Sequence, residues 1–285
     1  MNSKRTIYTK YHEKMERLLK TCKSGSFSLV GDDIFEEFST YFLKTVEKEA
    51  AFNLYRYTGL KRFDSDSDKR IFSFDTGSLY LSKNGCQNDI FEGIAQTDYS
   101  FTTIEEWITT LSNIALLKCF TEDPKNNLMW AHYADSYKGI CVEYDIKRAS
   151  EEVKKMLFPV MYQKKPENYI DIDVLISEKE DCAEGYLRDC KGIFAQKPLC
   201  WKYEKEWRIC DMNYDERISG KNIEFPYITK LFLGPRIEPE DKEKVLAAVK
   251  AHNEKSKEQI VVYTTRLREN TYDIEFKEYN WESRE

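Results

Sequence analysis

The spacing of apolar residues changes several times along the chain, and each change marks an element. Ile7, Tyr11, Met15, Leu18 and Cys22 recur at helical spacing until KSGSFS breaks the pattern. Asp33, with Glu36 three positions on, makes a capping-box start for a second helix carrying Ile34, Phe38, Phe42 and Val46. Residues 1–50 therefore read as an N-terminal helical extension, and residues 51–285 as a single core domain.

The core begins with FNLYRY, a strand ending at Thr58-Gly59, followed by the polar loop KRFDSDSDKR. SLYLS is the next strand and NGCQNDIFEG a loop. Thr102 or Thr103 caps a helix through Trp107, Ile108, Leu111 and Ile114, which leads into the strand ALLKCFT. Asn126 or Asn127 caps the short helix LMWAHYAD. GICVEYD then alternates, with Ile140, Val142 and Tyr144 on one face and Cys141, Glu143 and Asp145 on the other. WKYEKEWRIC reads as another alternating strand and ITKLFLG as the next. A helix over Val245, Leu246 and Val249 joins ITKLFLG to IVVYTT, as in a right-handed βαβ unit. YDIEFKEY is the last strand. Mixed short strands and helices in this order predict an α+β fold, a mixed and mainly antiparallel sheet core with flanking helices.

Composition narrows the function classes. With 285 residues, 41% of them hydrophobic, the chain can bury a large core. A net charge of -6 with interspersed signs gives no general attraction to nucleic acid or to an anionic membrane. No apolar run approaches the ~20 residues of a membrane span, and MNSKRTIYTKYHEK lacks the apolar core of a signal peptide. The expectation is a cytoplasmic protein with no membrane partner. The eight cysteines form no C-x-x-C pair and read as reduced thiols. His12, His132 and His252 form no metal-ligand pair, so no metal is expected. P-loop, G-x-S-x-G, H-E-x-x-H and G-x-G-x-x-G motifs are absent.

Four groups could carry chemistry. Glu204 and Glu206, two apart on a strand, would share a face between Trp201 and Trp207. Paired carboxylates need a cation, donors or a substrate to offset their repulsion, and Lys202 and Arg208 could neutralise them. Arg56, between Tyr55 and Tyr57, could offer its guanidinium fork to a phosphate. Asn88 and Asp89, with Glu92, could orient a ribose or hold a metal, although Asn-Asp also serves as a plain turn. His132, sharing a helical face with Met129 and Tyr133, would line a cleft as a candidate catalytic group.

LYRY, SLYLS with NDIFEG, CFTED, LMWAHYADSYKGICVEYD, KYEKEWRI and KLFLGPRI resemble, in order from about Asn53 to the carboxyl end, the uncharacterised bacterial family DUF2971. That family implies no reaction. A more limited resemblance is to ADP-ribosyltransferases of the arginine–serine–glutamate type, through Arg56, Thr121 and the Glu204/Glu206 pair. Thr121 departs from that pattern, because it lies in CFTED rather than in a serine–threonine–serine triplet. The resemblance implies an ADP-ribosyltransferase-like fold and NAD as co-substrate. Arg56 would hold the pyrophosphate, and Tyr55, Tyr57 or Tyr133 would stack on the nicotinamide. Glu206 would stabilise the oxocarbenium-like charge and Glu204 would orient the acceptor. Such an enzyme would be a toxin or antiviral effector modifying a protein or nucleic acid, with the N-terminal helices open to a regulatory partner. Two alternatives stand beside it. One is a non-catalytic nucleotide or ligand sensor, and the other a metal-dependent nuclease or phosphoesterase using Asp89, Glu92, Glu143 and His132.

Overall fold

The computed structural model describes residues 6–22, 32–60, 77–83, 115–165, 194–213 and 217–282. Its elements in chain order begin with helices α1 (Thr9–Cys22) and α2 (Asp32–Val46), then strands β1 (Asn53–Thr58), β2 (Ser78–Lys83) and β3 (Ala115–Thr121). Helix α3 (Asn127–Tyr133), β4 (Ile140–Asp145), α4 (Glu151–Met156), β5 (Leu157–Pro159), β6 (Met161–Gln163) and β7 (Gln196–Pro198) follow. After a 3₁₀ turn, Leu199–Glu204, come β8 (Glu206–Met212), β9 (Gly220–Glu224), β10 (Ile228–Leu233), α5 (Pro239–Lys255), β11 (Val261–Leu267) and β12 (Ile274–Glu278). The fold is α+β with a mixed, mostly antiparallel sheet, as the sequence pattern predicts. Among the described residues no helix is long and apolar enough to cross a membrane. The loops expected at KRFDSDSDKR and NGCQNDIFEG and the helix through Trp107 lie outside the described residues.

The chain divides into two compact units, each drawn from three segments. The first comprises residues 1–50, 81–119 and 150–221, so the N-terminal helices belong to it. Tyr11, Met15, Leu18 and Leu19 make the buried stripe of α1, and Ile34, Phe35, Phe38, Phe42 and Val46 that of α2. Ile7 precedes α1 and is exposed. Both stripes close on the fully buried Trp207 of β8, whose ring centroid lies 5.9 Å from that of Tyr11 and 5.7 Å from that of Phe42. Lys154 of α4 is buried and reaches Glu47 at 2.6 Å. β5 runs antiparallel to β8, while β6 and β7 pair in parallel.

The second unit comprises residues 51–80, 120–149 and 222–285. Its strands run in the order β12-β11-β10-β4-β1. β10 and β11 are parallel and joined through α5, the expected βαβ connection. β4 is central: Ile140 to Tyr144 are all buried, so both of its alternating faces are covered. Between α3 and β4 the chain makes an unusual turn, with positive φ at Asp135, Ser136 and Tyr137 (47°, 55° and 72°) and no glycine among them. Close packing holds it in place. A Cβ on Gly139 would lie 2.1 Å from the Thr58 carbonyl oxygen, and one on Gly234 would lie 2.2 Å from that of Tyr137. Gly139 donates to the Ala134 carbonyl at 2.7 Å, and Tyr137 donates back to Trp130 at 3.1 Å.

Trp207 fills the centre of the first unit's aromatic cluster, so Trp207→Ala should lower the unfolding free energy by roughly 3–5 kcal/mol. Urea unfolding followed by circular dichroism measures this, and a loss below about 1 kcal/mol would show that the helices do not depend on that ring.

Candidate functional site

The first unit places one polar cluster at its centre. β8 starts at Glu206, and Glu204 is not on the strand as expected but closes the preceding 3₁₀ turn. Lys205 between them adopts a left-handed conformation, φ 45° and ψ 53°. This reversal replaces the strand alternation that would have put both carboxylates on one face. They converge nonetheless. Lys197 Nζ of β7 donates to Glu204 Oε2 at 2.6 Å and to Glu206 Oε2 at 3.1 Å.

Arg208, two residues along β8 on the same face, donates from Nε to Glu206 Oε1 at 2.8 Å and from Nη2 to Oε2 at 3.1 Å. Its Nη1 donates to the Phe194 carbonyl at 2.7 Å. The Cys119 thiol also hydrogen-bonds Glu206, and the Glu206 backbone N–H donates to the Tyr162 hydroxyl at 2.7 Å. Lys197 further lies 4.9 Å from the Trp201 ring centroid. Glu204, Glu206, Lys197 and Arg208 are all buried. Lys202, expected to share in the neutralisation, is exposed, and Lys197 takes that role.

Ionisation follows this geometry. Burial pushes the Glu206 carboxyl up, but the Arg208 guanidinium and then the Lys197 ammonium outweigh it and hold the group at about 2. Burial pushes Lys197 down, and the Glu206 and Glu204 carboxylates more than reverse this. The Cys119 thiol is pushed well up by burial and by Glu206. Glu206 is thus an ionised carboxylate whose oxygens are both occupied by cations of its own chain.

The second unit carries another buried carboxylate, Glu143 of β4. It accepts from the Tyr55 hydroxyl at 2.8 Å, from the Thr229 hydroxyl at 2.8 Å and from Lys230 Nζ at 2.9 Å. The register of β10 against β4 shifts between Ile228 and Lys230, and this bulge lets the adjacent Thr229 and Lys230 both reach Glu143. The Lys230 side chain is 37% exposed, whereas that of Glu143 is 3% exposed, so a buried acid holds the end of a partly exposed lysine. Aromatic rings continue the same face. Phe232 is buried, with centroids 6.2 Å from Tyr55, 5.3 Å from Tyr263 and 4.3 Å from Phe276, and those three rings are half-buried. Lys125 Nζ lies 5.3 Å from the Phe276 centroid.

Against this geometry the expected site residues divide. Tyr55, Tyr57 and Thr121 share a face, since Thr121 pairs with Tyr55 across β3 and β1. Arg56, between the tyrosines, points to the opposite face and hydrogen-bonds Tyr144. The tyrosine rings therefore do not flank its guanidinium. Tyr57 is buried edge-on to Trp130, and its hydroxyl donates to the Asp123 carbonyl at 2.8 Å. Thr121 is buried and accepts from the Asp123 N–H at 3.2 Å.

Asn126 caps α3, its side chain accepting from Leu128 and Met129. His132 stands exposed in the last turn of that helix, edge-on to Tyr133 at 6.3 Å. Glu204 and Glu206 belong to the first unit, and Tyr55, Arg56, Tyr57, Thr121, His132 and Tyr133 to the second. Asn88, Asp89 and Glu92 lie outside the described residues. Among the described residues no group of three His, Cys, Asp or Glu side chains is placed to hold a metal ion. Sequence reasoning missed Lys197, Cys119, Thr229 and Lys230. Only Lys230 had a signal, a lone charge within the apolar run of ITKLFL.

Replacing Glu206 by Gln should cost roughly 3–5 kcal/mol at neutral pH, because it leaves two buried cations short of a counter-charge. The Glu206 carboxyl is held at about 2 against an ordinary 4.5, so its stabilisation is complete above the higher value and is lost as pH falls through the lower. The gap between wild type and Glu206→Gln in urea unfolding should therefore narrow as pH falls from about 4.5 towards 2. A gap that stays constant over that range would contradict the assignment.

No curated protein and no solved structure matches the chain. One family model does, over residues 129–209, from α3 through most of β8, a stretch that holds both Glu143 and the Glu204/Glu206 cluster. By that match this segment is similar to DUF2971, described as a protein of unknown function.

Proposed function

We propose that the second unit binds a nucleotide, on the sheet face where Glu143 holds Lys230 beside the rings of Tyr55, Tyr263 and Phe276. The observation that carries this reading is the mounting of Lys230. Its ammonium is fixed by a buried carboxylate, yet its side chain is 37% exposed at the edge of an aromatic face. A positioned cation suits a phosphate, half-buried rings suit the flat face of a base, and the hydroxyls of Tyr55 and Thr229 suit ribose or phosphate oxygens. Glu143 keeps the lysine from sampling the many rotamers that would otherwise weaken its contact with a ligand.

NAD remains a candidate ligand here, but as something bound. Transfer of ADP-ribose would ask Arg56 and Thr121 to act from one face of the sheet, whereas β1 directs Arg56 away from the face of Thr121. It would also ask Glu206 to release Arg208 and Lys197 before meeting a ribose. Binding at the Lys230 face asks for neither rearrangement. It therefore favours a sensing or binding role over transferase chemistry.

Isothermal titration with AMP, ATP and NAD tests this. Saturable binding is expected for at least one of them, weakening as salt rises. Lys230→Ala and Tyr263→Ala should each weaken it at least about tenfold, roughly 1.4 kcal/mol. Absence of heat with all three nucleotides would overturn the proposal. Release of nicotinamide from NAD that disappears in Glu206→Gln would replace it with the transferase reading.

A further inference from the structure

The last strand of the second unit ends a sheet. β12 pairs with β11, and among the described residues no strand pairs with its other edge. An unpaired edge presents backbone N–H and C=O groups to any chain able to match them. Which chain fits is written in the side chains. Glu275 and Lys277 are exposed and flank Phe276, the middle residue of the strand.

Two copies of β12 related by a two-fold axis through Phe276 would run antiparallel, the closed isologous arrangement of most dimers. In that register Glu275 of each copy faces Lys277 of the other, so two opposite-charge cross-strand pairs form at once. The Phe276 backbones face each other across the axis, while each ring stays packed on Phe232 of its own copy. A parallel copy in register would instead set Glu275 on Glu275 and Lys277 on Lys277. The alternating charge thus repels one mode of self-pairing and favours the other.

The residues flanking the strand agree. Tyr272 is 96% exposed and Trp281 is 47% exposed, one before β12 and one after it. Across the same two-fold axis Tyr272 of one copy comes alongside Trp281 of the other, and the pair recurs at the opposite end. Two large exposed rings are thereby covered without any change in the strand. We propose that the protein forms a homodimer by antiparallel pairing of β12, continuing the sheet of the second unit from one copy into the next. The partner is a second copy of this chain.

Sedimentation equilibrium on the full chain, over about a hundredfold range of concentration, tests the inference. The wild type should show a monomer–dimer equilibrium. Glu275→Lys and Lys277→Glu each set like charges opposite one another and should weaken dimerisation at least about tenfold. The double variant E275K/K277E restores opposite pairs and should recover the dimer. At concentrations where the wild type is monomeric, circular dichroism should show all three variants folded, with those carrying Glu275→Lys melting somewhat lower because Arg266 of β11 pairs with position 275. A wild type that stays monomeric throughout would overturn the proposal, as would a dimer indifferent to the single changes. Failure of the double variant to recover would exclude this register.

Discussion

A carboxylate taken out of water must be met by cations or donors, and this requirement organises both units of the chain. Glu206 and Glu143 each sit on a strand with almost no exposure. An unpaired buried charge would cost several kcal/mol, so the surrounding elements have to supply partners at hydrogen-bond distance. In the first unit β7 supplies Lys197, β8 supplies Arg208 and the tip of β3 supplies Cys119. In the second, β1 supplies Tyr55, and the bulged β10 supplies Thr229 and Lys230. Each acid thus draws side chains from two other strands to one point.

The two acids differ in what they leave for a ligand. Around Glu206 the charged partners are buried: Arg208 fully so, and Lys197 divides its ammonium between two carboxylates. Such a network sets the register of the strands and turns that carry it, and its hydrogen bonds hold the ionised form. Around Glu143 one partner, Lys230, extends to the surface. Buried acid and exposed base form a mount rather than a closed network, and half-buried rings continue from it. For this reason the proposed binding site is the Glu143 face and not the Glu206 cluster.

Where the chain follows simple periodicity, its structure was legible. The clean alternation of GICVEYD gave β4, the Asn126-Asn127 pair gave the start of α3, where Asn126 is the cap, and the apolar runs gave β10 and β11. Legibility failed where a backbone reversal is made without its usual residue. At Lys205 a lysine takes the left-handed conformation, so an apparent strand is split into a turn and a strand. At Asp135 to Tyr137 three successive non-glycine residues do the same, and the glycines that make room for them are Gly139 and the distant Gly234. No local pattern announces either turn, because the compensation comes from tertiary packing. Lys197 is a similar case, since β7 reaches Glu206 through a parallel pairing with β6 that the sequence does not announce.

The stretch from Cys119 to Asp145 shows how a distinctive sequence can arise from architecture. Its turn is held by hydrogen bonds from Tyr137 to Trp130 and from Arg236 to Tyr137, and the Trp130 indole N–H donates to the Pro124 carbonyl at 2.9 Å. Tyr137 also lies under the Arg236 guanidinium, 5.6 Å from its ring centroid. Thr121, Tyr57 and Trp130 are all committed to contacts of this kind. Thr121 and Tyr57 both bind the backbone of Asp123, and Tyr57 packs edge-on against Trp130, whose carbonyl accepts from the turn. What the segment gives to the proposed binding face is one residue, Glu143, carried on the strand that the turn launches. The aromatic and glycine positions keep that strand central and covered on both faces, and a central, covered strand is what allows an acid on it to hold a lysine still.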